Sequence, residues 1–117
     1  MKGQTFKRRL GFAIAGIYSA FRREQSFRFE VLAGAGVLVV LLLMRPSSIW
    51  WAIGALAVGL VLMAELFNTA LEILIDHIHP EQHPEIRAVK DIAAGAVLIS
   101  SVLALVVACA FIAANLH

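Results

Sequence analysis

The stretch Glu65-Leu66-Phe67-Asn68-Thr69-Ala70-Leu71-Glu72-Ile73-Leu74-Ile75-Asp76 follows directly on a long apolar run and decides how the chain is read. Glu65, Asn68, Glu72 and Asp76 are spaced by three, four and four residues, which stacks them on one side of a helix. At about 100° per residue they fall within an arc of roughly 80°, and the stripe is roughly 16 Å long. Leu66, Ile73, Leu74 and their apolar neighbours cover the rest of the cylinder. Stacked acids repel one another, so the stripe calls for a cation, a bound metal or an ion pair with another helix.

Outward from this stripe the chain is greasy. Of its 117 residues 61% are hydrophobic and 15% charged, against about 25% charged in an average soluble domain. The charges are segregated. Between Val31 and Ala64 the only one is Arg45, and from Ile92 onward there is no Asp, Glu, Lys or Arg. This is the pattern of an integral membrane protein. The length suits one domain over residues 1–117. The N-terminus is basic and amphipathic, with no contiguous apolar core before a small-residue cleavage site, so no cleavable signal is expected. Cys109 has no second cysteine to pair with and is expected to pack as a small hydrophobe. A net charge of +2 is too small to imply nucleic acid.

The expected fold is an all-α membrane protein with an N-terminal amphipathic surface helix and three transmembrane helices. Over residues 5–22, Phe6, Leu10, Ile14, Ile17, Tyr18 and Phe21 share one arc, with Arg8, Arg9 and Arg23 opposite, as in a helix lying on a membrane surface. Spanning helices are expected over 27–44, 48–78 and 86–115. Arg45-Pro46-Ser47-Ser48 reads as a tight turn and His79-Pro80-Glu81-Gln82-His83-Pro84 as a polar loop, with Trp50 and Trp51 as interfacial anchors. The 48–78 helix would be about 45 Å long, more than the roughly 30 Å hydrocarbon core, so its acidic end reaches the membrane surface. Gly34, Gly36 and Gly95 are assigned to helix packing. Ala96, Ser100, Ala104 and Ala108 form a small-residue stripe suited to a close helix contact. Lys2, Lys7, Arg8, Arg9, Arg22, Arg23 and Arg28 precede the first span, and Arg87 and Lys90 lie between the second and third. This bias puts the N-terminus and the 79–90 loop in the cytoplasm, with all eight carboxylates on that side.

That edge collects Glu24, Glu30, Glu65, Asn68, Glu72, Asp76, Glu81, His83, Lys90 and Asp91. Paired carboxylates suit Mg²⁺, which usually takes one or two of them plus substrate phosphates. Ion pairing of Glu72 or Asp76 with Arg28 or Lys90 is the structural alternative. There is no phosphate-binding glycine loop. His77, His79 and His83 lack the accompanying ligands of a zinc site and read as polar loop residues.

These residues carry a resemblance. Glu65-Leu-Phe-Asn68-Thr69-Ala70-Leu-Glu72-x-x-x-Asp76, then Lys90-Asp91-Ile-Ala-Ala-Gly-Ala-Val97, with Glu24-x-x-Phe27-Arg28-x-Glu30 upstream, resembles the prokaryotic diacylglycerol kinase family over nearly the whole chain. The resemblance implies a small homotrimeric lipid kinase of the bacterial inner (cytoplasmic) membrane, using ATP as co-substrate and Mg²⁺ as cofactor. It implies Glu65 as catalytic base, Asn68 as the neighbour that orients it, and Glu24 and Glu72 as ligands of the metal that accompanies ATP. Glu81, His83, Lys90 and Asp91 match nucleotide contacts. Two departures stand out. Thr5 occupies the place of an N-terminal arginine that helps bind ATP, leaving Lys7, Arg8 or Arg9 to replace it, and Phe12 stands where a tyrosine is common. The family phosphorylates diacylglycerol or, in another branch, undecaprenol. The Asn68-Thr69-Ala70 and Ala93-Ala94-Gly95-Ala96 wording is similar to the second branch in places.

The expected function is thus phosphorylation of diacylglycerol to phosphatidic acid, with undecaprenol as the alternative acceptor. A small ion-coupled transporter with Glu65 as proton carrier is a remoter alternative, disfavoured because the acids cluster at one face and not at the midplane. A non-catalytic assembly subunit with its acids in ion pairs is another.

Overall fold

The computed structural model describes residues 3–116, so Lys2 lies outside the described residues. Four helices follow one another: α1 (Phe6–Arg23), α2 (Gln25–Met44), α3 (Ser48–Ile78) and α4 (Pro84–Asn115). There is no strand among the described residues. The last three are long and apolar enough to cross a membrane.

Each boundary has a local cause. The Thr5 hydroxyl accepts from the Arg8 backbone N–H at 3.3 Å and starts α1. Thr5 therefore caps a helix where the resemblance looked for an arginine. Arg22 and Arg23 end α1, where cations suit the helix dipole. Glu24 is the whole joint between α1 and α2: its backbone is extended, with φ −113° and ψ 115°. The first span begins at Gln25, two residues before the expected start, because one extended residue suffices to separate the helices. Arg45 ends α2 in the left-handed region at φ 50°, its N–H donating to Leu41 O at 3.0 Å. α4 begins at Pro84, also two residues early. Proline has no N–H to lose in a first turn, and His83 Nδ1 accepts from the Glu85 N–H at 3.0 Å.

α3 is the centre of the arrangement. It packs along α4 and against α2, and α1 touches α2 and α3, whereas α2 and α4 make no contact among the described residues. The close point between α2 and α3 is Gly34, where an added Cβ would meet Val58 Cγ1 at 2.9 Å. Gly36 and Gly95 face open space, so of the three glycines assigned to packing only Gly34 serves it within the chain. Trp50 turns inward to meet Phe111 edge-on, ring centres 5.5 Å apart. That contact ties the start of α3 to the end of α4 and adds a packing role to the interfacial one expected.

The buried apolar core is thin, consisting of Ala20, Phe27 and Leu41, and large apolar side chains cover the outside of every helix. Phe6, Leu10, Ile14, Ile17, Tyr18 and Phe21 of α1 are all exposed, as a helix resting on a bilayer requires. The small-residue stripe of α4 divides: Ser100 is buried and Ala104 half-buried toward α3, while Ala96 and Ala108 face outward. Cys109 is also exposed, among the apolar side chains on the outside of α4.

Candidate active site

The antiparallel course of α2, α3 and α4 brings the end of α1, the start of α2, the end of α3 and the start of α4 together. On α3 the deepest burial lies at Glu65 and Thr69, and the stripe opens toward Asp76. Glu65 is 5% exposed and Thr69, one turn on, 3%. Asn68 and Glu72 are half-buried and Asp76 is exposed. The field of Glu24 and of Glu72 acts on Glu65, and that of Glu65 acts on Glu30. Four carboxylates from the α1–α2 joint, α2 and α3 therefore lie within electrostatic reach inside one chain.

Lys90, Arg87 and Arg28 are engaged elsewhere. Lys90 Nζ bonds Asp76 Oδ1 at 2.6 Å. Arg87 Nε pairs with Asp91 Oδ1 at 3.2 Å, one turn away on α4. Arg28 Nη1 donates to the backbone carbonyls of Phe21 and Arg22 at 2.8 and 3.0 Å. Of the ion pairs weighed from the sequence, Asp76–Lys90 forms and Arg28 takes part in none. Among the described residues no salt bridge involves Glu24, Glu30, Glu65 or Glu72.

Three buried oxygens at this level lack a hydrogen-bond partner: Glu30 Oε2, Asn68 Oδ1 and Thr69 Oγ1. Leaving a buried polar group unpaired costs about 1–3 kcal/mol, so three at one end of the bundle mark a place made to be occupied. Among the described residues no three His, Cys, Asp or Glu side chains converge as a closed metal cage. Two carboxylates completed by phosphate and water are the arrangement Mg²⁺ prefers, so the oxygen-rich set here fits that ion. Thr69 was not singled out from the sequence, although its place on the acidic stripe four residues after Glu65 was visible there. Only packing reveals that its hydroxyl is buried and unpaired.

The remaining site residues lie at the adjoining loop. His79, Pro80, Glu81, Gln82 and His83 line a small open hollow with Ile86, Arg87 and Lys90. The His83 ring stands edge-on to His79 at 6.3 Å, and His79 Nδ1 lies 3.1 Å from Glu81 O. Glu81, His83, Lys90 and Asp91 thus lie around the α3–α4 loop, beside the exposed end of the acidic stripe.

Known proteins resemble this chain over most of its length. The sequence profile of the prokaryotic diacylglycerol kinase family matches residues 11–112. The chain is 38% identical over 92 residues to an undecaprenol kinase of Bacillus subtilis, covering 79% of this chain and 75% of that one. It is 36% identical over 97 residues to a diacylglycerol kinase of Synechocystis, covering 82% and 55%. It is 34% identical over 99 residues to a diacylglycerol kinase of Pseudomonas aeruginosa, covering 81% and 80%. With a profile match across all four helices and relatives of this kind, the chain belongs to the prokaryotic diacylglycerol kinase family and is a membrane lipid kinase.

Proposed function

We propose that this kinase transfers the γ-phosphoryl group of ATP to diacylglycerol, giving phosphatidic acid and ADP. The observation that carries the reading is the buried Glu65 among Glu24, Glu30 and Glu72, a group of carboxylates with no protein cation bonded to it among the described residues. Mg²⁺ brought in with the nucleotide would supply the missing positive charge. Glu24 and Glu72 would hold the metal, which would supply charge neutralisation at the phosphates. Lys90 adds charge at the phosphates once it leaves Asp76, and Glu81, His83 and Asp91 border the nucleotide. Glu65 accepts the hydroxyl proton as the lipid oxygen bonds to the γ-phosphorus. The bond from that phosphorus to the β–γ bridging oxygen breaks, and ADP departs with the electron pair. Asn68, one turn away, orients Glu65.

The lipid stays in the bilayer of a bacterial inner membrane and the nucleotide arrives from the cytoplasm, on the side of the N-terminus and the α3–α4 loop. The enzyme works as a homotrimer, in which a neighbour covers the side of the site left open where α2 and α4 do not meet. Ala96 and Ala108 of α4 remain free for that contact.

A second acceptor, undecaprenol, is favoured by the Bacillus subtilis relative at 38% identity. Transfer of radiolabel from [γ-³²P]ATP to a panel of lipid alcohols, with and without Mg²⁺, tests both. Labelled phosphatidic acid as the main product is the expected result. Preferential labelling of undecaprenol assigns the alternative, and no transfer to any lipid alcohol overturns the reading.

A further inference from the structure

Arg28 is the fourth residue of α2, in the first turn, where a cation opposes the helix dipole. It is therefore not there for α2. Its Nη1 reaches back six and seven residues to donate to Arg22 O at 3.0 Å and Phe21 O at 2.8 Å. Those carbonyls belong to the last turn of α1, which has no intrahelical donors for them and where positive charge is favoured. One guanidinium group thus closes the end of α1 from the start of α2, strapping the two helices together across Glu24. The covalent joint between them is a single residue, Glu24, extended with helix on both sides. The direction of its side chain is set by how α1 and α2 are held.

The strap matters because α1 has little else to hold it. Ala20 is its one buried residue, and its apolar arc is exposed. The chain around the strap is well anchored on the α2 side, where Phe27 is 2% exposed. We infer that Arg28 is a positioning residue for the reaction: by clamping the end of α1 it fixes the Glu24 carboxylate where it acts on Glu65 and on the metal. This rests on the proposed role of Glu24 as a metal ligand. Arg28 is not itself catalytic, since its guanidinium is spent on backbone carbonyls.

The test uses the full-length kinase in lipid bilayer discs. Mg²⁺ is titrated at saturating ATP and lipid alcohol for the parent protein, Arg28→Gln, Arg28→Lys, Glu24→Gln and the Arg28→Gln/Glu24→Gln double variant. Groups that orient a metal ligand commonly change metal affinity by roughly 10- to 100-fold when removed. Arg28→Gln is expected to raise the half-saturating Mg²⁺ concentration about tenfold or more, leaving KM for the lipid unchanged. Arg28→Lys, which keeps the charge on a less ordered donor, falls between parent and Arg28→Gln. The double variant is expected to be no worse than Glu24→Gln, because Arg28 acts through Glu24. An unchanged Mg²⁺ requirement in Arg28→Gln, beside a raised one in Glu24→Gln, overturns the inference, and so do additive effects in the double variant.

If Glu24→Gln itself leaves the Mg²⁺ requirement unchanged, the metal-ligand reading has failed, and the clamp is judged by distance. Spin labels at Ile14→Cys in α1 and Leu42→Cys in α2, both exposed positions, are placed in a Cys109→Ser background that removes the single native cysteine. A broadened or shifted distance distribution in Arg28→Gln supports the clamp. A distribution identical to the parent's overturns it.

Discussion

At the scale of single residues the question is which charges are chemical and which are structural, and magnitudes separate them. The Lys90–Asp76 bond is short, but the two side chains keep 30% and 63% of their exposure. An ion pair so open to water is worth about 0–1 kcal/mol. It is too weak to serve as scaffolding, and weak enough to open for a phosphate. Lys90→Gln is therefore expected to lower unfolding free energy by less than about 1 kcal/mol while raising KM for ATP severalfold. Denaturation in detergent beside steady-state kinetics checks both. Glu65 is the opposite case, being buried, surrounded by like charge and unpaired by any cation among the described residues. Glu65→Gln keeps the shape and removes the proposed proton acceptor. It is expected to lower kcat by roughly 10²–10⁴-fold, with nucleotide binding and thermal stability close to the parent's. A folded Glu65→Gln protein with near-normal kcat would remove this residue from the mechanism.

At the scale of elements, the acid-bearing face of α3 is held in place by its contacts with α2 and α4. The tightest α2 contact is at Gly34, where a methyl group would stand 2.9 Å from Val58 Cγ1. Val58 is β-branched and stiff, so it has little freedom to give way. Overpacking costs about 1–3 kcal/mol, offset by up to about 1 kcal/mol of helix propensity gained from alanine. Gly34→Ala is expected to be net destabilising by about 1–2 kcal/mol. Gly36→Ala, with open space around it in the chain, is expected to be neutral or stabilising. Thermal unfolding of the two variants side by side reads the difference. Equal effects would mean that α2 and α3 are not in close register at Gly34. The α1–α2 joint belongs to the same scale: its geometry comes from capping, through Thr5 at one end of α1 and Arg28 at the other.

At the scale of the whole molecule, an apolar exterior and a thin core are the properties of a chain completed by lipid and, in the proposed trimer, by copies of itself. The acidic group nevertheless assembles within one chain, since Glu24 and Glu72 both act on Glu65 there. Glu65 and Glu72 stand on the same stripe of α3. Mixed trimers of Glu65→Gln and Glu72→Gln chains are therefore expected to recover little activity, because a site that needs both residues from one helix is broken in either chain. Recovery approaching one third of the sites would place the two residues in different chains of a shared site. Measuring activity across mixing ratios, with the trimer verified by native mass spectrometry, distinguishes the two.

Much of this was legible in the residues alone, and the reason is locality. Hydropathy runs and charge gaps reveal three spans because a bilayer acts on about twenty consecutive residues at a time. The Glu65–Asn68–Glu72–Asp76 stripe is legible because i, i+3 and i, i+4 neighbours share a helix face whatever the tertiary structure. The partners of the charges were not. Arg28 offered itself equally to a carboxylate or to a helix end, and only the bend at Glu24 brings the carbonyls of Phe21 and Arg22 within its reach. The fate of the α4 stripe was likewise undecided, because an even row of small residues does not say which of them α3 will cover. Ser100 and Ala104 turn toward α3, and Ala96 and Ala108 turn away. The Thr69 hydroxyl looked like any helical threonine until α3 was packed among its neighbours, where burial without a partner set it beside Glu65. Local periodicity determined the helices and the chemical stripe. Long-range packing decided which polar groups were satisfied and which were left without a partner, because that depends on neighbours far away in the chain.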